Sequence, residues 1–274
     1  MRLSLNRIET KFRELQNNNK KAFMPYICAG DPTLDLSRKL LLTLEKAGAD
    51  LIEFGIPFSD PIADGPIIQK ASERSLCNGT SIDQVLNLVL NLRNETDIPI
   101  TLMGYYNPIF QMGVDTFCER AMDVGVDGII IPDLPPEEAE PLLEAVSGCD
   151  LATIFLVAPT STYKRIVKIA ELSKGFIYCV SVTGVTGVRD VISVEVRSMV
   201  AEIRKHTEKP ICVGFGVSTP DQAQQLAQIA DGVIVGSAIV KIIEENLDDE
   251  LAMLLNVERF AEELSKGVKE IIVP

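Results

Sequence analysis

Three carboxylates fall close together in the segment LIEFGIPFSDPIADGP at positions 51–66: Glu53, Asp60 and Asp64. Glu53 interrupts an apolar run of Leu51, Ile52, Phe54 and Ile56 that reads as a buried strand. A carboxylate in such surroundings is costly unless it is paired, protonated or used. Burial lifts its pKa towards neutrality, where a carboxyl group serves as general acid and general base. Asp60 and Asp64 follow in a loop stiffened by Pro57, Pro61 and Pro66. The pattern fits proton transfer on a small molecule, with carboxylates in different environments taking different roles.

The remaining residue types narrow the chemistry. The single histidine, His206, falls at the end of a predicted helix, away from this segment. That disfavours a histidine-dependent isomerase or a zinc-type aldolase. No lysine lies within a predicted strand, so Schiff-base chemistry lacks its usual nucleophile. The six cysteines (Cys28, Cys77, Cys118, Cys149, Cys179, Cys212) show no CxxC pair and no metal-type spacing, and read as reduced thiols. No metal site is expected.

The elements that must position these groups follow one pattern. Continuous apolar runs at 23–28, 50–54, 99–103, 127–131, 151–156, 176–180, 210–214 and 232–236 read as strands buried on both faces. Helix-period segments follow them at about 35–47, 81–93, 113–124, 136–147, 161–172, 193–205, 219–228 and 238–245. The phrase Ala47-Gly-Ala-Asp50 recurs as Val124-Gly-Val-Asp127, with a weaker echo in Ile229-Ala-Asp-Gly232. Eight such units predict an α/β protein, a closed (β/α)8 TIM barrel formed by residues 1–274 as a single domain. An open doubly wound sheet is the alternative, weakened by the absence of GxGxxG and GxxxxGK[ST]. An extra N-terminal helix at 4–17 is placed to plug the barrel, and added helices follow strand two (66–78) and strand eight (to about 265).

Bulk properties exclude several partners. The chain has 274 residues, 46% hydrophobic, with a net charge of −13. So acidic a protein lacks the basic face that nucleic-acid binding needs. The N-terminus lacks the apolar core of a signal peptide, and no apolar run reaches the ~18 residues of a membrane span. A cytoplasmic location is expected.

In such a barrel, chemistry takes place at the C-terminal strand ends. Three glycine-bearing loops follow strands six, seven and eight: Thr183-Gly-Val-Thr-Gly187, Gly214-Phe-Gly-Val-Ser218 and Gly236-Ser-Ala-Ile-Val240. Each glycine alone reads as a turn requirement. Together, at those strand ends, they read as a phosphate site built from backbone N–H groups and a helix N-terminus. The loop at 181–193 reads either as a lid or as an ordinary surface connection.

These motifs, with Cys28-Ala-Gly-Asp-Pro32, MGYYNPIF at 103–110, PDLPPEE at 132–138, GVTG at 184–187 and GSAIVKIIE at 236–244, resemble the tryptophan synthase alpha chain over nearly the whole sequence. The resemblance implies retro-aldol cleavage of indole-3-glycerol phosphate to indole and glyceraldehyde 3-phosphate. It implies Glu53 as the acid/base acting at indole C3 and at the glycerol hydroxyl. Asp64 would be the carboxylate on the indole N–H. Tyr178 would line the site, with Phe23, Ile130 and Val180 walling the indole pocket. Gly187, Gly216, Gly236 and Ser237 match phosphate binders, and Thr186 matches the lid threonine that meets the catalytic aspartate.

The family resemblance also implies a beta-chain partner in a two-plus-two tetramer. The docking loops would be 57–64 and 104–110, with Pro57, Asp60, Asn107 and Pro108 at the interface. No cofactor is expected in this chain; pyridoxal phosphate belongs to the beta partner. Some relatives carry Arg where Val182 stands. The alternatives are a stand-alone indole-releasing lyase, a non-catalytic subunit that binds a phosphorylated ligand, and a phosphate-sugar isomerase.

Overall fold

A computed structural model of the protein describes residues 6–180, 194–214 and 216–270. The described residues form nine strands: β1 (Ala22–Cys28), β2 (Ile52–Gly55), β3 (Ile100–Met103), β4 (Gly128–Ile130), β5 (Ala152–Ile154), β6 (Leu156–Val157), β7 (Ile177–Val180), β8 (Ile211–Gly214) and β9 (Gly232–Val235). All pair in parallel, in the order β5-β4-β3-β2-β1-β9-β8-β7-β6. The two ends of that order, β5 and β6, are halves of one stretch interrupted at Phe155. The Phe155 carbonyl accepts the Tyr178 N–H at 3.1 Å across the break. The sheet therefore closes into a barrel of eight staves, one of them bent.

The helices are α1 (Arg7–Asn17), α2 (Leu34–Lys46), α3 (Pro66–Cys77), α4 (Ile82–Leu92), α5 (Tyr106–Met112), α6 (Val114–Asp123), α7 (Glu140–Ala145), α8 (Tyr163–Leu172), α9 (Val194–Arg204), α10 (Pro220–Ala227), α11 (Ser237–Glu245) and α12 (Glu250–Lys269). The extra helices stand where the sequence placed them. Ile8, Phe12 and Leu15 of α1 are buried against interior residues such as Met24 and Phe176, closing the barrel bottom. Two expectations need correction. The helix expected at 136–147 covers only Glu140–Ala145, because Pro135 and Pro136 lead into a turn rather than a helix. The loop after β3 contains α5, which the sequence reading missed. Pro108 is tolerated there because it sits in the first turn, where its missing N–H has no intrahelical partner.

The recurring Asp phrase is a staple at the barrel bottom. Asp50 donates its N–H to the Phe23 carbonyl at 2.9 Å, and its carboxylate accepts the Phe23 N–H at 2.9 Å. Asp127 treats Ile100 in the same way, at 3.0 and 2.8 Å. Asp231 does so to Ile211, at 2.8 and 3.0 Å. Each aspartate thus locks the start of its own strand to the neighbouring strand. Gly48 and Gly125, with φ of +97° and +87°, make the turn that delivers the first two. Each carboxylate also has a cation: Lys269 on Asp50, Arg7 and Arg93 on Asp127, and Arg204 and Lys21 on Asp231. The echo is structural and faces away from the site.

Strand alternation divides the core. Ala22, Met24, Tyr26 and Cys28 of β1 point into the barrel, whereas Phe23 and Ile27 pack outward among the helices.

Candidate active site

Glu53 sits on the interior face of β2, in register with Tyr26 on β1 and Thr101 on β3. It is 1% exposed, and its Oε2 has no hydrogen-bond partner among the described residues. Burial raises its pKa from 4.5 to about 8; the nearby Asp64 charge adds to the rise, and a hydrogen bond with Tyr178 opposes it. At neutral pH Glu53 is therefore a protonated acid.

Asp64 lies where the β2 exit loop turns into α3. Its N–H donates to the Pro61 carbonyl at 3.0 Å, and its carbonyl accepts Gln69 Nε2 at 2.9 Å. The Tyr105 hydroxyl donates to Asp64 Oδ2 at 3.0 Å and accepts the Ala63 N–H at 2.9 Å. Phe58 stacks on the Tyr105 ring with centroids 5.2 Å apart. Partial burial lifts the Asp64 pKa to about 6, against the lowering effect of the Tyr105 bond. Two carboxyl groups at one barrel mouth thus hold opposite protonation states at pH 7, an acid and an anion. Among the described residues, neither forms an ion pair with a lysine or arginine.

On the other side of β1, Gly236 precedes α11 without a side-chain cap; the Ile239 N–H turns back to the Gly236 carbonyl at 2.9 Å, and the Ser237 and Ala238 N–H groups are left without an intrahelical partner. Ser237, the first residue of α11, is exposed. By contrast, α10 is capped by Thr219, whose hydroxyl accepts the Gln222 N–H. Gly216 lies exposed in the loop after β8. An uncapped helix start beside a glycine loop is an anion site in waiting.

The Trp_syntA family model, described as tryptophan synthase alpha chain, matches residues 12–269. A tryptophan synthase alpha chain from Geotalea uraniireducens is 51% identical over 267 residues, spanning 97% of this chain and 99% of the relative. One from Carboxydothermus hydrogenoformans is 48% identical over 247 residues, spanning 90% of this chain and 92% of the relative. The chain belongs to the tryptophan synthase alpha chain family. A crystal structure of the alpha subunit from Legionella pneumophila superposes with a TM-score of 0.90 at 38% identity, covering 97% of this chain and 99% of that one. As an alpha chain, the protein is a lyase subunit of tryptophan biosynthesis.

Within that family frame, the expected residues fall as follows. Glu53, Asp64 and Tyr178 converge on the barrel mouth, and Tyr178 is half-buried on the interior face. Ile130 is fully buried inside the barrel, and Val180 is half-buried at the end of β7. Phe23 is a correction. Its side chain joins the layer between barrel and helices, so it cannot wall a pocket at the axis. Tyr26, three residues on and of opposite strand parity, faces inward in its place. Thr186, Gly187 and the loop at 181–193 with Val182 lie outside the described residues, as does the terminal 271–274.

Of the interface expectations, Asp60 and Asn107 are exposed, Pro108 is half-buried and Pro57 is buried. The same two segments carry Ile62 and Phe110, 84% and 62% exposed, which the sequence reading passed over. A surface notch of about 230 Å³ lies at Ile62, lined also by Phe58, Asp60 and Glu73 among others. His206 is half-buried beside Glu202 and edge-on to Tyr163, at a centroid distance of 5.0 Å, remote from both carboxylates. Among the described residues, no group of three or more His, Cys, Asp or Glu side chains is arranged to hold a metal ion, and no helix is long and apolar enough to cross a membrane.

Proposed function

We propose that this chain cleaves indole-3-glycerol phosphate to indole and glyceraldehyde 3-phosphate through Glu53 and Asp64. The single observation that carries the reading is the pairing of a buried, inward-facing Glu53 with a half-buried Asp64 held by Tyr105, an arrangement whose burial pushes Glu53 up to about 8 and Asp64 to about 6. Protonated Glu53 delivers its proton to indole C3. Ionised Asp64 accepts a hydrogen bond from the indole N–H and stabilises the positive charge that develops on the ring. Glu53, now a carboxylate, removes the proton of the glycerol hydroxyl, and the carbon–carbon bond breaks. Tyr178 orients Glu53, Ile130 and Val180 border the ring, and Gly216, Gly236 and Ser237 hold the phosphate at the uncapped start of α11. Gly187 and Thr186 complete the cradle and the lid contact in this reading.

The released indole passes to a beta chain, whose pyridoxal phosphate supports the second half-reaction, in an alpha2-beta2 assembly in the cytoplasm. Exposed Ile62 and Phe110 flank Asp60 and Asn107 on the two loops facing the mouth, which suits apolar docking with a polar rim.

The test is indole release from indole-3-glycerol phosphate, with and without a beta chain. Glu53→Gln is expected to lose at least ~10²-fold in rate, the scale of a removed general acid/base, and Asp64→Asn to be severely impaired. Near-normal turnover by Glu53→Gln would sink the assignment. A high rate unchanged by any beta chain would favour a stand-alone lyase. Binding without turnover in either setting would favour a regulatory subunit.

A further inference from the structure

Two tyrosines face the barrel axis beside Glu53. Tyr178 is hydrogen-bonded to the Glu53 carboxyl. Tyr26, the register partner of Glu53, is only 8% exposed, and its hydroxyl has no hydrogen-bond partner among the described residues. A glycine fixes where that hydroxyl sits. A Cβ at Gly55 would lie 2.2 Å from the phenol oxygen. Gly55 is two residues beyond Glu53 on β2, on the same interior face and nearer the mouth. The phenol oxygen therefore lies against Gly55, on the mouth side of Glu53. Burial raises its pKa well above the ordinary phenol value, and Cys28, Asp64, Glu53 and Tyr105 add to the rise, so it stays protonated.

Tyr26 also borders the phosphate side. β1 lies between β2 and β9, and a Cβ at Gly236 would lie 3.4 Å from Tyr26 Cβ. A molecule anchored by its phosphate at α11 and reaching Glu53 must run past this ring. A hydroxyl with no protein partner is free to donate to a suitably placed acceptor on a ligand.

We propose that the Tyr26 hydroxyl donates a hydrogen bond to the substrate alcohol oxygen from which Glu53 takes the proton, making Tyr26 a further catalytic residue. The inference rests on the retro-aldol reading above. The ring is by then protonated at C3 as its indolenine form. The alcohol proton passes to the Glu53 carboxylate, and the former O–H electron pair becomes the second bond of the aldehyde carbonyl. The bond from C3 to the carbinol carbon breaks, and its pair returns to the ring as indole. Negative charge builds on the alcohol oxygen during that step, and a neutral O–H donor aimed at it favours the transition state. The other nearby phenols are committed: Tyr105 to Asp64 and Tyr178 to Glu53.

Tyr26→Phe keeps the ring and removes the donor. Indole release from indole-3-glycerol phosphate, with saturating beta chain, is compared with binding of indole-3-propanol phosphate, which lacks both glycerol hydroxyls. The variant is expected to lose about tenfold in kcat while binding the deoxy analogue within about twofold of the parent protein, the effect of one lost hydrogen bond to a charging oxygen. An unchanged kcat overturns the proposal. Equal weakening of the analogue also overturns it, since the ring would then be only a wall. Failure of the unsubstituted protein to release indole would sink the retro-aldol reading itself, whereas normal turnover by both proteins sinks only the role of the hydroxyl.

Discussion

Tyr105 and Asp64 are joined by one hydrogen bond of 3.0 Å that ties the exit of β3 to the exit loop of β2. The same phenol oxygen accepts the Ala63 N–H, so the loop is gripped through its backbone next to the residue whose side chain it orients. The bond favours the ionised carboxylate and holds Asp64 lower than burial alone would.

Tyr105→Phe removes that donor, so the Asp64 pKa should rise above about 6. The acid limb of the kcat/KM profile should move to higher pH. The loss at pH 7 should be about three- to tenfold, largely recovered at pH 8, as expected for one lost hydrogen bond to a charged group. A profile that drops evenly at every pH would show that the tyrosine acts through packing instead.

In the unsubstituted chain, the productive state has Glu53 protonated and Asp64 ionised. Activity should fall below about 6 as Asp64 takes up a proton, and above about 8 as Glu53 releases one. The stability of the fold should carry the same signature. Glu53 has an ordinary pKa of 4.5 when exposed and about 8 when folded. Between those values the folded chain keeps a proton that the unfolded chain has lost, so this group costs more stability as pH rises. Glu53→Gln carries no such cost. Its advantage in denaturant unfolding should be small near pH 5 and grow, on the order of 2–4 kcal/mol, towards pH 8. A stability difference that does not vary with pH would contradict a buried, pKa-shifted Glu53.

The uncapped start of α11 gives a third expectation. Gly236→Asp places an anion where the phosphate of the substrate is proposed to sit. KM for indole-3-glycerol phosphate should rise about tenfold or more, with the smaller effect on kcat, because the helix N-terminus would be answered by the new carboxylate instead. Dephosphorylated indoleglycerol should bind the variant and the parent equally. An unchanged KM would place the phosphate elsewhere.

Much of this was readable from residue types alone. Glu53 declared itself because a carboxylate inside Leu51, Ile52, Phe54 and Ile56 has no cheap structural reason to be there. Closure of the barrel followed from eight units, although the break of the fifth stave at Phe155 leaves no trace in an unbroken apolar run. Phe23 was misassigned for a physical reason. Every residue of β1 is buried, so apolarity cannot tell the barrel axis from the helix layer, and only register separates Phe23 from Tyr26. Helix α5 escaped because its Tyr106 N–H is satisfied by Asp133, a residue from the next exit loop that no local motif announces.

The staples at the barrel bottom separate stability from chemistry. Asp127 is 3% exposed and accepts bonds from Arg93 at 2.7 Å, Arg7 at 3.0 Å and the Ile100 N–H at 2.8 Å. Asp127→Ala would strand the largely buried Arg93 guanidinium and one strand N–H. Removing one partner of a buried ion pair costs about 3–5 kcal/mol, because the other charge is left uncompensated. The unfolding midpoint should fall accordingly. These contacts lie at the strand starts, one ladder step below Glu53 at Ile100, and reach neither the Glu53 carboxyl nor Asp64, so the folded fraction should turn over at the parent rate with the parent pH profile. A change in the acid or base limb of that profile would mean that the bottom network reaches the mouth through the β3–β4 ladder, and that the repeated Asp phrase serves chemistry as well as closure.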